Sequence, residues 1–362
     1  MRKFLIVLVV LSLVATIFIG YDRITNINVP VKLKWRYKTG FWGYSSSPVV
    51  DGVAYVGDQQ NCVYAIDKDT GKLKWKFYEK GAIFTSPSVA DGVIYVAKWK
   101  GESHLYAIDA ESGILKWRFM LAGPGSSSGS PVVFDGTVYI GSSDKNLYAV
   151  DASNGTLKWR YETEGPIVFS APSVADAVVY SGGGYDYLYA VDAKNGDFKW
   201  RYKTGLISSA PSLMDGVVYV GSHDNYLYSI DSKTGKLNWR FETGSDIYSS
   251  PLVVDGVVYV GSGDFYVYAV NSNSGKLKWS FKTGGGISSS PFLIGSVLYI
   301  GSEDHYMYAI DSKSGVLMWR YKSKDPIVSS TVVVDNVIYF GSFGVRFNAG
   351  IGYLYALEIK DG

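Results

Sequence analysis

Three histidines and one cysteine are the residues of this 362-residue sequence that most readily bind metals or act as bases and nucleophiles. His104, His223 and His305 occupy unlike positions in separate segments, so their spacing does not predict a shared metal site. Cys62 aligns with tyrosine in most copies of an internal repeat, which indicates packing, and a single cysteine can form no internal disulfide. The segment DKDTG at 67–71 resembles part of a calcium-binding loop, but it lacks the bidentate glutamate and recurs as a hairpin turn. We therefore expect no metal site and no catalytic residue.

The elements that position these residues are repeats marked by tryptophan. Eight tryptophans recur every 39 to 42 residues, a period typical of β-propeller blades. They are Trp35, Trp75, Trp117, Trp159, Trp200, Trp239, Trp279 and Trp319. Within each period, segments like SSPVV, DGVVYVGS, YLYAID and LKWRY form short alternating runs separated by Gly, Asp, Asn or Ser. The sequence predicts an all-β, eight-bladed propeller with four-stranded antiparallel blades.

Composition agrees with this fold class and narrows the partners. Hydrophobic residues make up 47% of the chain and charged residues 19%, with 30 Tyr and 41 Gly, a balance of strand formers and turn formers. The formal net charge is only +2, so no strong field attracts nucleic acid or an anionic membrane surface. We expect no nucleic-acid partner.

The two ends of the repeat array complement each other. The first tryptophan strand, VKLKWRYK, precedes any SSPVV strand, whereas the last copy ends at YLYALEIKDG without a tryptophan strand. If residues 31–38 supply the outer strand of the last blade, the ring closes and no blade is incomplete. We expect each repeated indole to lie against the turn of the neighbouring blade and to donate its N–H to a carbonyl there.

The pattern A-I/V-D-x-x-x-G-K-L-K-W resembles the tryptophan-docking motif of the pyrroloquinoline quinone (PQQ) propeller superfamily across about residues 31–357. This superfamily includes quinoprotein alcohol dehydrogenases and BamB, the propeller lipoprotein of the outer-membrane β-barrel assembly machinery. The resemblance implies that a catalytic member carries metal-binding carboxylates around its channel and, in the alcohol dehydrogenases, a pair of adjacent cysteines. The inner strands instead start at residues that do not ionise near neutral pH: Ser45, Phe84, Ser128, Phe169, Ser208, Tyr248, Ser288 and Val328. We therefore expect the non-catalytic, BamB-like branch, without a cofactor.

The N-terminus carries an export signal. Arg2 and Lys3 precede an uncharged run, Phe4–Gly20, which is long enough for a marginal membrane span. Small residues do not fill both positions of a cleavage site before Tyr21, so we favour an uncleaved anchor, with secretion after cleavage as the alternative. The basic flank predicts that the N-terminus stays inside and the rest is exported. The expected parts are one hydrophobic helix at 1–20 that serves as signal anchor or signal peptide, a linker at 21–30 and an extracytoplasmic propeller at 31–362.

Individual function is expected where one copy departs from the others. The irregular segments are GFWGYS, AKWKGES, GSFGVRFNAGIG and, more mildly, MLAGPGSSSG. They occupy connections on one face of the ring, in blades that become neighbours once the ring closes. We predict one aromatic and basic patch that docks a protein or peptide; the alternative is that these side chains cover the channel mouth or pack against the anchor. The candidate residues are Phe41, Trp42, Tyr44, Lys98, Trp99, Lys100, Phe343, Arg346 and Phe347.

Together these patterns predict a monomeric, membrane-tethered propeller of the cell envelope that acts as a non-catalytic scaffold for a protein or peptide partner. A lipoprotein would need a cysteine directly after the apolar run, where Tyr21 stands instead. Three alternatives are a PQQ-dependent dehydrogenase, a carbohydrate-binding propeller that uses its tyrosine-rich rims, and the sensor part of an envelope signalling system.

Overall fold

The computed structural model describes residues 31–40, 46–58, 60–79, 85–98, 102–122, 129–168, 170–184, 186–343 and 351–360. These residues form 32 strands arranged in eight four-stranded antiparallel sheets, which are the blades of a propeller. The predicted eight-bladed, all-β fold is therefore confirmed. No helix that is long and apolar enough to cross a membrane occurs in the described ranges. The hydrophobic helix and the linker predicted at 1–20 and 21–30 lie outside them.

Blades 1 to 7 each follow the chain from the inner strand to the outer strand. Blades 1 and 2 contain β2 (Val49–Val50), β3 (Val53–Gly57), β4 (Cys62–Asp67), β5 (Leu73–Tyr78), then β6 (Ser88–Ala90), β7 (Val93–Ala97), β8 (Ser103–Asp109) and β9 (Leu115–Ala122). Blades 3 and 4 contain β10 (Val132–Phe134), β11 (Thr137–Gly141), β12 (Asn146–Asp151), β13 (Leu157–Glu162), then β14 (Ser173–Ala175), β15 (Val178–Gly183), β16 (Tyr187–Asp192) and β17 (Phe198–Lys203). Blades 5 and 6 contain β18 (Ser212–Met214), β19 (Val217–Gly221), β20 (Tyr226–Asp231), β21 (Leu237–Glu242), then β22 (Leu252–Val254), β23 (Val257–Gly261), β24 (Tyr266–Asn271) and β25 (Leu277–Lys282). Blade 7 contains β26 (Phe292–Ile294), β27 (Val297–Gly301), β28 (Tyr306–Asp311) and β29 (Leu317–Lys322).

Blade 8 joins the two ends of the array. Its first three strands are β30 (Val332–Val334), β31 (Val337–Ser342) and β32 (Gly352–Ile359), and its outer strand is β1 (Val31–Thr39). β1 pairs antiparallel with β32 from Val31 opposite Ile359 to Thr39 opposite Gly352. The predicted closure by the N-terminal strand is therefore confirmed. The ladder shifts register between Leu33 and Trp35, and the outer pairs of blades 1 to 7 carry a shift at the corresponding place, so β1 reproduces an ordinary outer strand.

Turn chemistry fixes the first hairpin of each blade. At Asp215–Gly216 the φ angles are 51° and 76°, and a two-residue type I′ hairpin requires positive φ at both central residues. The second and third strands are joined on one face of the ring, and so are successive blades, because consecutive strands run antiparallel. We call this face the upper face.

The hydrophobic core lies between the blades. One cluster joins Tyr180 and Leu188 of blade 4 to Val218, Val220 and Ile230 of blade 5, and the other described blade pairs form comparable clusters. Because side chains alternate along a strand, each blade presents one apolar face to each neighbour. Both faces are buried, which explains why the second and third strands read as nearly continuous apolar runs.

Candidate functional site

Seven of the eight repeated tryptophans hydrogen-bond the turn of the next blade in one common arrangement. The Trp200 indole N–H donates to the Ser232 carbonyl at 2.8 Å, and the Tyr180 hydroxyl donates to the same oxygen at 3.3 Å. Burial raises the pKa of Tyr180 to about 12, so its hydroxyl stays protonated as a donor. Gly235 lies on the indole face, where a Cβ would be 2.7 Å from ring atoms, and its φ is +68°. Glycine is therefore required by both space and conformation.

The shared carbonyl makes tyrosine a second member of the tryptophan contact, which the sequence interpretation missed. The other tyrosine and tryptophan pairs are Tyr339 with Trp35, Tyr55 with Trp75, Tyr95 with Trp117, Tyr139 with Trp159, Tyr219 with Trp239 and Tyr259 with Trp279. The tyrosine comes from the second strand and the tryptophan from the outer strand of one blade, so two elements hold each neighbouring turn.

Trp319 differs from the other seven. Its Nε1 is buried and finds no acceptor within the described part of the chain, although its ring centroid lies 5.9 Å from that of Tyr299. Blade 8, which Trp319 faces, takes its outer strand from β1, so no turn joins its third and fourth strands. The expectation that all eight indoles find a turn carbonyl is wrong at Trp319, because closure by β1 removes the turn that supplies this carbonyl.

The repeated aspartates before each glycine organise their own turns. The Asp231 carboxylate accepts hydrogen bonds at 2.7 Å from both the backbone N–H and the hydroxyl of Thr234. These bonds, with the hydroxyl first, lower the pKa of Asp231 below its ordinary value. In blade 6 the Asn271 amide oxygen accepts the equivalent bonds from Ser274 at 2.9 Å. This role matches a hairpin turn.

A second carboxylate orders the upper face. Asp264 accepts the Tyr268 hydroxyl at 2.7 Å and the Gly244 backbone N–H at 2.6 Å, so it joins the loop after β23 to the connection between blades 5 and 6. Burial first, and then the bond to Asp264, raise the pKa of Tyr268. Matching hydroxyl–carboxylate pairs occur at Tyr148 with Asp144, Tyr228 with Asp224, Tyr308 with Asp304 and Tyr64 with Asp58. These pairs order the upper-face loops of blades 1, 3, 5, 6 and 7.

Two residues of the predicted aromatic and basic patch lie in the described part of the chain. Lys98 follows β7 in blade 2, and its N–H donates to the His104 carbonyl at 2.9 Å. Phe343 follows β31 in blade 8, and its N–H donates to the Pro326 carbonyl at 2.8 Å. Both therefore lie on the upper face. The remaining patch residues, Phe41, Trp42, Tyr44, Trp99, Lys100, Arg346 and Phe347, are outside the described residues.

Blades 1 and 2 depart from the others at the upper end of the outer strand. Tyr78 ends β5 and is 62% exposed, and Met120 occupies the same position on β9 and is 60% exposed. The six other blades place a charged residue at this position: Lys38, Glu162, Lys203, Glu242, Lys282 and Lys322. The two exposed apolar side chains lie beside the connections that lead onto the upper face.

Blades 5 and 6 bring a serine, a histidine and an aspartate together on the same face. Ser208 Oγ lies 2.9 Å from His223 Nε2, and His223 Nδ1 lies 3.6 Å from Asp246 Oδ2. The Tyr248 ring packs edge-on against the His223 ring, with the ring centroids 4.5 Å apart, and the Tyr248 hydroxyl donates to Asp246 Oδ2 at 3.2 Å. Ser208 starts an inner strand segment that was expected to lack ionisable chemistry. The expectation missed that the loop after β19 places an imidazole directly on this serine.

The same two positions carry other pairs in the next blades. In blade 7 the Ser288 hydroxyl donates to the Glu303 carboxylate at 2.8 Å, and in blade 6 the positions hold Tyr248 and Gly263. In blades 5 and 7, serine on the inner segment therefore contacts an ionisable side chain on the loop, whereas blade 6 has tyrosine and glycine at these positions. Comparing the two positions together would have identified Ser208 with His223 as a candidate pair.

The described residues do not fit a metal-bound quinone cofactor. No three His, Cys, Asp or Glu side chains come together to hold a metal ion in the ranges that the structure describes. The whole sequence has one cysteine, so an adjacent cysteine pair cannot form. This part of the chain therefore supplies neither the metal ligands nor the cysteine pair that the resemblance to the alcohol dehydrogenases implies.

Comparisons with solved structures show the propeller fold. BamB from Moraxella catarrhalis superimposes with a TM-score of 0.76 at 20% identity, over 92% of this chain and 99% of that chain. A europium-containing methanol dehydrogenase superimposes with a TM-score of 0.76 at 16% identity, over 91% of this chain and 93% of that chain. The quinohemoprotein alcohol dehydrogenase from Comamonas testosteroni superimposes with a TM-score of 0.74 at 18% identity, over 92% of this chain and 77% of that chain.

Comparison of sequences separates the families that share this fold better than superposition of structures does. A search of curated protein sequences found no significant match. The family model described as outer membrane protein assembly factor BamB matches residues 32–168, 163–253, 203–284 and 246–362, which together span nearly the whole propeller. The chain therefore belongs to this BamB-like family of PQQ-repeat propellers.

Proposed function

We propose that this protein is an extracytoplasmic scaffold, not a quinoprotein enzyme, and that it docks another envelope protein on the upper face of blades 8, 1, 2 and 3 without catalysis at that surface. Membership of a family described as an outer membrane protein assembly factor supports a role in protein assembly. The export signal predicted at 1–20 supports delivery to the envelope, with the N-terminal segment as the proposed tether. The four irregular segments of the sequence support the choice of face, since all of them belong to these blades.

The observation that carries the proposal is that blades 1 and 2 have the uncharged residues Tyr78 and Met120 where the other six blades have a charged residue. A charged residue at the end of an exposed edge strand discourages unwanted pairing, and six blades keep one. Blades 1 and 2 expose apolar side chains at this position, 62% and 60% of each being accessible. Aromatic residues and methionine are enriched in protein interfaces, where lysine and glutamate are depleted. These blades also carry Lys98 and the patch residues next to it in sequence.

The test removes aromatic side chains from the proposed surface. Trp42→Ala, Trp99→Ala and Phe347→Ala are combined in one variant, and Phe198→Ala with Phe265→Ala forms the control variant on blades 4 and 6. The two control residues are 52% and 43% exposed, so their removal leaves the core intact. Chemical crosslinking in intact cells, followed by purification and mass spectrometry, identifies the captured proteins. We expect the patch variant to lose an envelope protein that the wild type and the control retain. Identical partners for all three folded proteins would contradict the proposal.

The second candidate is a quinoprotein dehydrogenase, because two such enzymes superimpose on the chain over more than 90% of its length. Their identities of 16% and 18% support a shared fold, not a shared reaction. The discriminating assay is dye reduction with an alcohol after incubation with PQQ and calcium. Turnover that depends on both would favour the dehydrogenase, whereas the scaffold proposal predicts none.

A further inference from the structure

The contact of Ser208 with His223 is held by the backbone on both sides. The His223 N–H donates to the Leu206 carbonyl at 2.9 Å, which ties the loop after β19 to the segment that leads into blade 5. One residue after Ser208, the Ser209 hydroxyl donates to the carbonyl at the end of β19 at 2.9 Å and accepts the N–H of the same residue at 3.2 Å. Asp246 comes from the connection to the next blade. Three separate segments therefore fix the three side chains.

The arrangement suits proton transfer from the serine to the imidazole. When Ser208 donates to Nε2, the neutral ring carries its hydrogen on Nδ1, which faces Asp246. Burial lowers the pKa of His223, with Asp246 and Asp224 opposing the shift, so the imidazole is the neutral base near pH 7. Tyr248 is 39% exposed and packs beside the ring, so the pair borders a half-open surface rather than the core.

We propose that Ser208 is a nucleophile for hydrolysis of small acyl esters, with His223 as its general base and Asp246 as the positioning residue. Ser208 Oγ attacks the ester carbonyl carbon while His223 Nε2 takes the hydroxyl proton. The bond from the carbonyl carbon to the leaving oxygen then breaks, and His223 returns the proton to the departing alcohol. Water attacks the acyl-serine by the same route, which releases the carboxylic acid and restores Ser208. The Tyr248 ring lies beside His223 and is only 39% exposed, so we restrict the proposed substrates to short acyl groups such as acetyl.

Blade 7 supplies the matched control. Ser288 and Glu303 occupy the positions of Ser208 and His223, and their side chains are 2.8 Å apart. A carboxylate accepts the serine hydrogen bond, but it is a weaker base than a neutral imidazole. Ser288 is therefore expected to be unreactive. This activity goes beyond the proposed scaffold role, and it does not depend on that role because it uses blades 5 and 6.

The test uses the purified full chain with diisopropyl fluorophosphate, which forms an Oγ–P bond with an activated serine and releases fluoride. Peptide mass spectrometry locates the label, and p-nitrophenyl acetate reports acyl transfer. We expect label on Ser208 in the wild type and in Ser288→Ala, none at this position in Ser208→Ala, and labelling slowed about 100-fold or more in His223→Gln. Asp246→Asn is expected to lower the plateau rate and to move the midpoint of the pH–rate profile to lower pH, because the carboxylate raises the imidazole pKa.

Circular dichroism checks that each variant keeps its fold, and any one of three results would then overturn the assignment. These are no label on Ser208 in the wild type, labelling of His223→Gln as fast as that of the wild type, or a loss of ester turnover in Ser288→Ala as large as that in Ser208→Ala. An Asp246→Asn variant with an unmoved pH–rate midpoint would overturn the positioning role. None of these outcomes changes which envelope proteins are captured by crosslinking, so failure of this activity and failure of the scaffold proposal are distinguishable.

Discussion

Replacing tryptophan by phenylalanine at two equivalent positions should have very different effects on stability. Trp279 donates to the Ser312 carbonyl at 2.9 Å, whereas Trp319 Nε1 is buried without an acceptor among the described residues. Each ring centroid lies 5.9 Å from that of the tyrosine of its own blade, so this aromatic contact is the same in both places. Tyr259 also donates to Ser312 O, so Trp279→Phe leaves no orphaned carbonyl and loses only the net hydrogen bond, about 1 kcal/mol. Trp319→Phe removes an unsatisfied donor whose burial costs about 1–3 kcal/mol.

The free energies of unfolding of the two variants should therefore differ by about 2–4 kcal/mol, with Trp319→Phe the more stable. Urea denaturation followed by circular dichroism measures this difference, provided that the slope of the transition is the same in both variants. Equal destabilisation by the two substitutions would refute the assignment of the indole hydrogen bond as a stabilising element of the ring, and so would a larger loss at Trp319.

Substitutions at Gly235 and Asp231 test the turns, with Gly256→Ala as the control for Gly235→Ala. Gly235→Ala places a Cβ within 2.7 Å of the Trp200 ring, whereas the Cβ of Gly256→Ala, at a similar positive φ, meets only a hydroxyl oxygen at 3.8 Å. We therefore expect a larger fall in melting temperature for Gly235→Ala than for Gly256→Ala. Equal falls would refute the close contact between Gly235 and Trp200. The folded-state pKa of Asp231 lies below its ordinary value of 3.8, so its turn stabilises the protein above that pH and loses this contribution as the pH falls through the lowered folded-state pKa. Asp231→Asn should keep the wild-type melting temperature at pH 7, because Asn271 makes the same bonds in blade 6. It should also lose less stability than the wild type between pH 5 and pH 2. An unchanged dependence of stability on acid pH would contradict the stabilising role of the Asp231 carboxylate.

The fold could be predicted from the sequence because the information repeats. Trp35 and its counterparts set the period, the Asp-Gly turns set the hairpins, and the incomplete ends of the array indicated that β1 completes blade 8. Each blade uses the same local rules, so one correct interpretation applies around the ring. Closure also had a consequence that the period alone does not show, since Trp319 faces the single blade whose outer strand arrives without a turn.

The candidate chemistry was harder to predict because it depends on pairs of positions. Ser208 and His223 are 15 residues apart, and Asp246 belongs to the next blade. Considered singly, serine does not ionise and an isolated histidine has no partner. Their contact arises from the pairing of the loop after β19 with the inner segment of blade 5, which is a tertiary feature. The tyrosines that share the tryptophan carbonyl were missed for a similar reason, because period-2 alternation identifies them only as core residues.

The most direct test of the scaffold proposal is site-specific photocrosslinking in living cells. A photoreactive phenylalanine analogue at position 343 of blade 8 is compared with the same analogue at position 303 of blade 7. Phe343 and Glu303 occupy equivalent upper-face positions, each with its N–H bonded to the preceding connection at 2.8 Å and 2.9 Å. We predict that the analogue at position 343 captures a distinct envelope protein and that the analogue at position 303 does not. Equal capture at both positions, or none at position 343, would contradict a docking surface centred on blades 8, 1, 2 and 3.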